Sequence, residues 1–189
     1  RWAVREFGSS LLSLSGSLLI AHPGLLDPNF RKTVLYISAN DPEEGSFGLV
    51  LNRPAGQMVA DILPDRDLGT LARVPVFFGG PVSRDQLVFA SFRWQANGQR
   101  MECRHHIGIE EAEKLVVDQN AIIRAFIGYA GWSKGQLEGE LAHHAWMTKA
   151  PDESLLDPER TGVMWREMLS TFGPMFRLVA ESPDDPSRN

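Results

Sequence analysis

Between residues 122 and 141 the chain passes through three kinds of sequence in quick succession. A largely apolar segment, Ile122 to Ile127, runs into Gly128-Tyr129-Ala130-Gly131-Trp132-Ser133-Lys134-Gly135 and then into Gln136-Leu137-Glu138-Gly139-Glu140-Leu141. A short apolar run with β-branched and aromatic residues reads as a buried strand. The glycines allow backbone angles or close approaches that a side chain would block, so the strand is expected to give way to a turn. The last piece reads as a short helix. On it Gln136 and Glu140, four apart, share one face, and Leu137 and Leu141 form the apolar ridge beside them. Trp132 stands at the entrance, where an aromatic ring with one donor can wall a pocket. A strand, a glycine turn and a helix start is a common way to present a site.

The rest of the chain supplies more strands than helices. Ser17 to Ala21, Thr33 to Ser38, Phe47 to Leu51, Val74 to Phe78, Gln86 to Phe92, Arg100 to His105 and Ala145 to Lys149 have strand composition. Asn40-Asp41-Pro42-Glu43-Glu44-Gly45 and Asn97-Gly98 are turn signals that join neighbouring strands into hairpins. Asn52-Arg53-Pro54 and Gly79-Gly80-Pro81 read as strand stops, and Ser83-Arg84-Asp85 as loop. Helical spacing is found around Met58 to Leu63, over Ile109 to Gln119, and over Glu159 to Thr171, with Pro158 in the first turn and Gly173-Pro174 as the stop. Phe176 to Ala180 adds a packed segment. The expected fold class is α+β: a single domain over 16–181 with a mostly antiparallel sheet and three to four helices. Residues 1–15 and 182–189 read as flexible termini, and from the start at Arg1 rather than Met the natural beginning is expected to lie upstream.

Composition removes several classes of function. The chain has 189 residues, 43% of them hydrophobic, and one cysteine, Cys103, so no internal disulfide can form and a reducing, cytoplasmic setting is expected. No apolar run reaches the roughly 20 residues of a membrane helix. The net charge is −5 with no cluster of Lys and Arg, which argues against direct DNA binding. The glycine pairs fit neither dinucleotide nor phosphate-loop patterns, and no Gly-x-Ser-x-Gly elbow is present. His105-His106 and His143-His144 are adjacent pairs, and neighbours on a strand point to opposite faces, so with Cys103 they make a poor zinc set. Ordinary surface histidines and an inert buried thiol are the better reading. No metal and no cofactor are expected.

Four pieces of the sequence together resemble one family. Leu18-Leu19-Ile20-Ala21-His22-Pro23-Gly24-Leu25-Leu26-Asp27-Pro28-Asn29-Phe30, Gly48-Leu49-Val50-Leu51-Asn52-Arg53-Pro54, Phe78-Gly79-Gly80-Pro81-Val82 and the segment Gly128 to Leu141 follow, in this order, the motifs of the AlgH/YqgE-like bacterial proteins. The resemblance covers about residues 16 to 150. It implies an α+β domain whose bifurcated sheet folds into a pseudo-barrel, in a bacterial cytosolic protein. It implies no known activity; members are often labelled transcriptional regulators. His22 and His143-His144 depart from the residues common at those positions, which weakens any catalytic or metal role for them.

The residues inside these pieces are the site candidates: Asp27, Asn52, Gly79, Gly80, Trp132, Gln136 and Glu140. Their positions at loop ends suggest that they converge at one end of the sheet. Asp27 and Asn52 can also simply cap backbone groups, as can Arg53. Two functions are weighed. One is a non-enzymatic binding or regulatory module, for a protein or small-molecule partner, using exposed aromatics such as Trp132 and Trp146. The other is an enzyme with Glu140 as acid or base and Asn52 and Gln136 orienting substrate.

Overall fold

The computed structural model describes residues 13–182, and these form nine strands and five α-helices. In chain order the strands are β1 (Leu18–Ala21), β2 (Val34–Asp41), β3 (Gly45–Val50), β4 (Pro54–Met58), β5 (Pro75–Phe78), β6 (Val82–Gln95), β7 (Arg100–Ile107), β8 (Ile122–Trp132) and β9 (Trp146–Lys149). The helices are α1 (Val59–Ile62), α2 (Ile109–Leu115), α3 (Gln136–Ala142), α4 (Met164–Ser170) and α5 (Pro174–Glu181). Apart from residues 13–15 and 182, the two expected termini lie outside the described residues.

The sheet runs β4-β5-β8-β3-β2-β1-β9, with β6 branching from β8 and carrying β7. All pairs are antiparallel except β5 with β8. The α+β class and the mostly antiparallel, branched and curled sheet are therefore as expected.

The branch explains the main departure from the sequence reading. β8 does not stop at Ile127. Its first half lies between β5 and β6, and its last residues, Ala130 to Trp132, pair with Gly48 to Ser46 of β3. Gly128 bends the strand between the two partnerships, with φ of +74°. A Cβ at Gly128 would stand 2.3 Å from the Gly80 carbonyl oxygen, and one at Gly79 would stand 2.4 Å from that of Gly128. Gly128 permits close backbone contact rather than a turn, whereas Gly79 combines such a contact with the reversal from β5 into β6.

Other boundaries shift for similar reasons. Pro54 opens β4 instead of ending the sheet, because β4 is an edge strand and its first residue needs no donor. Ser83 to Asp85 belong to β6, where the register jumps between Val82–Tyr129 and Leu87–Ile127 and Ser83 adopts φ of +52°. α2 ends at Leu115, and the long helix expected after Pro158 is divided into a 3-10 turn, Pro158–Arg160, and α4.

The interior has two apolar clusters. One holds Leu19, Ile20, Leu35, Ile37, Phe92 and Phe126 under α4 and α5. The other holds Val59, Leu71, Val76, Phe89, Ile123 and Ala125 beside α1 and α2. Up to Ile127 the apolar side chains of β8 alternate between them, as a strand period of two requires, and beyond Gly128 they join the first cluster. Arg124 sits within this interior at 3% exposure, its guanidinium 3.9 Å from the Phe77 ring centroid and donating to the Leu51 carbonyl at 3.0 Å. Burial pulls its pKa down to about 10.

Candidate functional site

The seven residues singled out in the sequence fall into two groups. Trp132 lies where β8 meets Ser46, at the Gly45 end of β3, and Asn52 lies just beyond the Val50 end. The extended run of β3 from Ser46 to Val50 puts them apart by roughly 13 Å or more at about 3.3 Å per residue. The expected convergence at one end of the sheet is not what the structure shows.

The first group is an internal polar lock. Glu140 Oε1 accepts from the indole N–H groups of Trp132 and Trp146, at 3.0 and 2.9 Å, while Oε2 accepts from the Gln136 amide at 3.0 Å. Gln136 Oε1 in turn accepts from the Ser133 backbone N–H at 3.0 Å. Trp132 and Trp146 were expected to be exposed, yet they are 5% and 3% exposed, with the Phe30 ring against both. A buried indole needs a partner for its N–H, and Glu140 serves two at once. Lys134 pairs with Glu43, and Glu138 accepts from Asn40, so α3 and the turn before it are tied to the β2–β3 hairpin. Gln136 and Glu140 do share a helix face, and they spend it on each other and on this lock.

The second group organises backbone. Asp27 Oδ1 accepts from the Asn29 N–H, closing an Asx turn. Asn52 accepts from the Val34 N–H and donates to the Lys32 carbonyl, both at 3.0 Å, bracketing the entry to β2. The Gly79 carbonyl accepts from Val50 N–H, and Gly79 N–H donates to Ile127. Gly80 lies against Tyr129 and Ala130, where a Cβ would come within 2.2 Å of the Tyr129 carbonyl.

Beside this second group is a groove of about 280 Å³, lined by Pro28, Asn29, Arg53, Phe78, Gly80 and Arg84 among others. Three of the four sequence pieces meet here. Arg53 donates to the Asn29 and Arg31 carbonyls at 2.8 and 2.9 Å, which fixes its guanidinium. Burial pulls its pKa down, against the opposing pull of Asp27. Arg84 is exposed and has no hydrogen-bond or ion-pair partner among the described residues. Sequence reasoning passed over Arg84 because Ser83 to Asp85 read as an ordinary loop. The available signal was a cation three residues after Pro81 in an otherwise acidic chain.

The histidines and Cys103 bear on metals and nucleophiles. A β-bulge in β7 opposite Ala90, with His106 at φ of +55°, turns the His105 and His106 rings toward each other rather than to opposite faces. Their Nδ1 atoms are 3.1 Å apart, and the Phe47 ring stacks on His105. Burial, with His106 adding to it, pulls the His105 pKa down. No group of three or more His, Cys, Asp or Glu side chains is placed to hold a metal among the described residues. Burial pushes the Cys103 thiol up to about 12, the condition of an inert thiol.

Fold and site together define an α+β domain with a branched sheet, an internally satisfied glutamate and a cationic groove at the opposite end of β3. Comparison with known proteins places it. The AlgH-like family profile matches residues 18–177, and the chain belongs to that family. It is 42% identical to a UPF0301 protein of Streptomyces coelicolor, covering 94% of this chain and 96% of that one. It is 37% identical to a UPF0301 protein of Mycobacterium avium, covering 93% and 90%. Among solved structures it is similar to the AlgH protein of Pseudomonas aeruginosa, with TM-score 0.62, 27% identity and coverage of 92% and 96%. It is similar in fold to a Corynebacterium diphtheriae protein, with TM-score 0.68, 20% identity and coverage of 89% and 92%. No helix among the described residues is long and apolar enough to cross a membrane.

Proposed function

We propose that this chain is a non-enzymatic binding module of the cytoplasm, regulating a partner process by occupancy rather than by chemistry. The observation that carries this reading is the state of Glu140. Both of its oxygens already accept from protein donors, two of which belong to buried tryptophans. A general base must have an oxygen within reach of a substrate proton. Oε1 is held by two indole N–H groups, so a proton could be taken only through Oε2, which would have to give up the Gln136 amide while the rest of the carboxylate stays anchored. Cys103 does not fill the gap, since its burial disfavours the thiolate. The net charge of −5 supports a small-molecule or protein partner over DNA.

The test is a thermal-shift screen of the purified chain against a metabolite library, followed by mass analysis of each compound that shifts the melting temperature. A ligand bound only by the folded state stabilises it by about 2.7 kcal/mol at a hundredfold excess over its Kd. We expect compounds that raise the melting temperature and are recovered unchanged. Turnover of a stabilising compound, lost in Glu140→Gln, would overturn the reading in favour of an enzyme.

A further inference from the structure

We propose that the groove between the Asp27–Arg31 loop and the Gly79–Arg84 segment binds the anionic group, carboxylate or phosphoryl, of a small ligand whose flat apolar body lies on Phe78. This deepens the binding-module reading and rests on it.

The sign of the site comes first. Among the described residues, those lining the groove include two arginines and no acidic residue, in a chain whose net charge is −5. Asp27 acts on Arg53 from nearby, with its Oδ1 turned to the Asn29 N–H, but it does not line the groove. An anion entering the groove meets the two arginines that do.

The state of each arginine points the same way. Arg53 uses two of its N–H donors on backbone carbonyls, leaving three of the five that a guanidinium carries. Those bonds orient the planar group without neutralising it. Arg53 is partly withdrawn from water, with no ion pair to a carboxylate among the described residues. Removing a charge from water is costly unless a counter-charge meets it, and a guanidinium matches the planar geometry of a carboxylate or phosphoryl group in a bidentate contact. Arg84 supplies the complementary element. It is exposed and has no partner among the described residues, and it extends from the irregular part of β6 where the register jumps. One cation is fixed in advance and a second is free to close on the bound group.

The rest of the groove sets the kind of molecule. Phe78 is 40% exposed at the end of β5, and Pro28 and Pro81 border the same space. An exposed phenyl ring beside two rigid prolines gives a flat apolar surface on which a ring stacks. A volume of about 280 Å³ suits a single ring with its acid group, at the small end of ligand pockets. Gly79 and Gly80 hold this wall against Gly128 and Tyr129, so the surface is braced by backbone packing and needs no ligand to form.

The experiment is an NMR and calorimetric titration of the full chain with inorganic phosphate, phenyl phosphate, benzoate and, as the uncharged control, benzamide. Phenyl phosphate and benzoate are expected to shift the amides of residues 28–31, 53 and 78–84, and benzamide is not. A stronger response to phenyl phosphate than to inorganic phosphate assigns a role to the apolar body. Equal response leaves the anion site standing and removes Phe78 from it. Arg84→Ala is expected to weaken benzoate and phenyl phosphate by about tenfold or more, and Arg84→Glu to abolish binding. Because Arg84 is exposed and has no partner among the described residues, both variants are expected to keep the wild-type melting temperature. Shifts that are the same for benzamide, or the absence of shifts in this segment on the wild-type chain, would overturn the proposal. So would unchanged affinity in Arg84→Ala. If library screening finds ligands that bind elsewhere and independently of Arg84, the anion site fails while the binding-module reading stands. If an anionic ligand binds through Arg84 and is consumed, the module reading fails while the anion site stands.

Discussion

Trp132 and Trp146, from strands at separate places in the sheet, donate their indole N–H groups to the same oxygen of Glu140, at 3.0 and 2.9 Å. One carboxylate thus fastens α3 across the sheet. Truncation in Glu140→Ala leaves two buried donors without an acceptor, which costs about 2–4 kcal/mol at the usual penalty for such groups. At this chain size that lowers the melting temperature by roughly 5–15 °C. Glu140→Gln keeps an oxygen for the indoles and loses only the charge-assisted contacts, about 1 kcal/mol. Calorimetry on both variants checks the ordering. A Glu140→Ala protein that melts with the wild type would remove the lock.

Gly128 and Gly139 give opposite outcomes for the same substitution. At Gly128 an added Cβ meets the Gly80 carbonyl oxygen at 2.3 Å, and φ of +74° is strained for alanine. Gly128→Ala is expected to cost more than about 4 kcal/mol, visible as loss of soluble, folded protein. Gly139 lies inside α3, and a Cβ there has no neighbour within 4 Å. Gly139→Ala is expected to stabilise by about 0.5–1 kcal/mol in urea titration. A mild Gly128→Ala would contradict the close-approach account of the branch.

Cys103 makes a pH-dependent contribution whose sign follows from its burial. Its ordinary value of 9.0 is pushed up to about 12 in the folded chain. Between these values the folded state holds a proton that the unfolded state has released. The stability due to this thiol is therefore complete below pH 9 and lost as the pH rises toward 12. Cys103→Ala should flatten that part of the stability profile. At pH 8, iodoacetamide should label the wild-type thiol only on addition of denaturant. Rapid labelling of native protein would show the thiol to be accessible and ionised.

Arg124 is a buried cation that stacks on Phe77 and donates to the Leu51 carbonyl. Lysine at this position keeps the charge but gives up the planar stack and is more strongly hydrated. Arg124→Lys is expected to cost about 2–4 kcal/mol. Arg124→Met discards the charge together with its burial penalty, and is expected to cost less. Denaturant midpoints of the two variants decide the order. The reverse order would mean that the positive charge itself, through the Phe77 ring and the Leu51 carbonyl, outweighs its burial penalty.

Most strands were legible because β-branched and aromatic runs are separated by strong turns, as between β2 and β3 or at Asn97-Gly98 before β7. The continuity of β8 was not. Glycine marks both a turn and a close backbone contact, and only the Gly80 carbonyl, 48 positions earlier in the chain, decides between them at Gly128. The i,i+4 relation of Gln136 and Glu140 was legible from helical spacing. Its purpose was hidden, since it depends on Trp146 and Phe30 closing over the same place. The groove was half legible. Its glycines and Arg53 lie in the familiar pieces, whereas Arg84 becomes part of it only through a register jump that no local pattern announces.

β8 has a role that goes beyond geometry. Ile123 and Ala125 belong to one apolar cluster, and Phe126, Ala130 and Trp132 belong to the other. Neither half of the interior can come apart while β8 remains in place, and neither can persist once it leaves. The domain should consequently melt as one cooperative unit, with the slowest-exchanging amides in this strand. The strand as a whole answers to two neighbourhoods, so a shift of its backbone that suits one cluster is judged again by the other. Variation over time should therefore be least free at the buried positions of this strand.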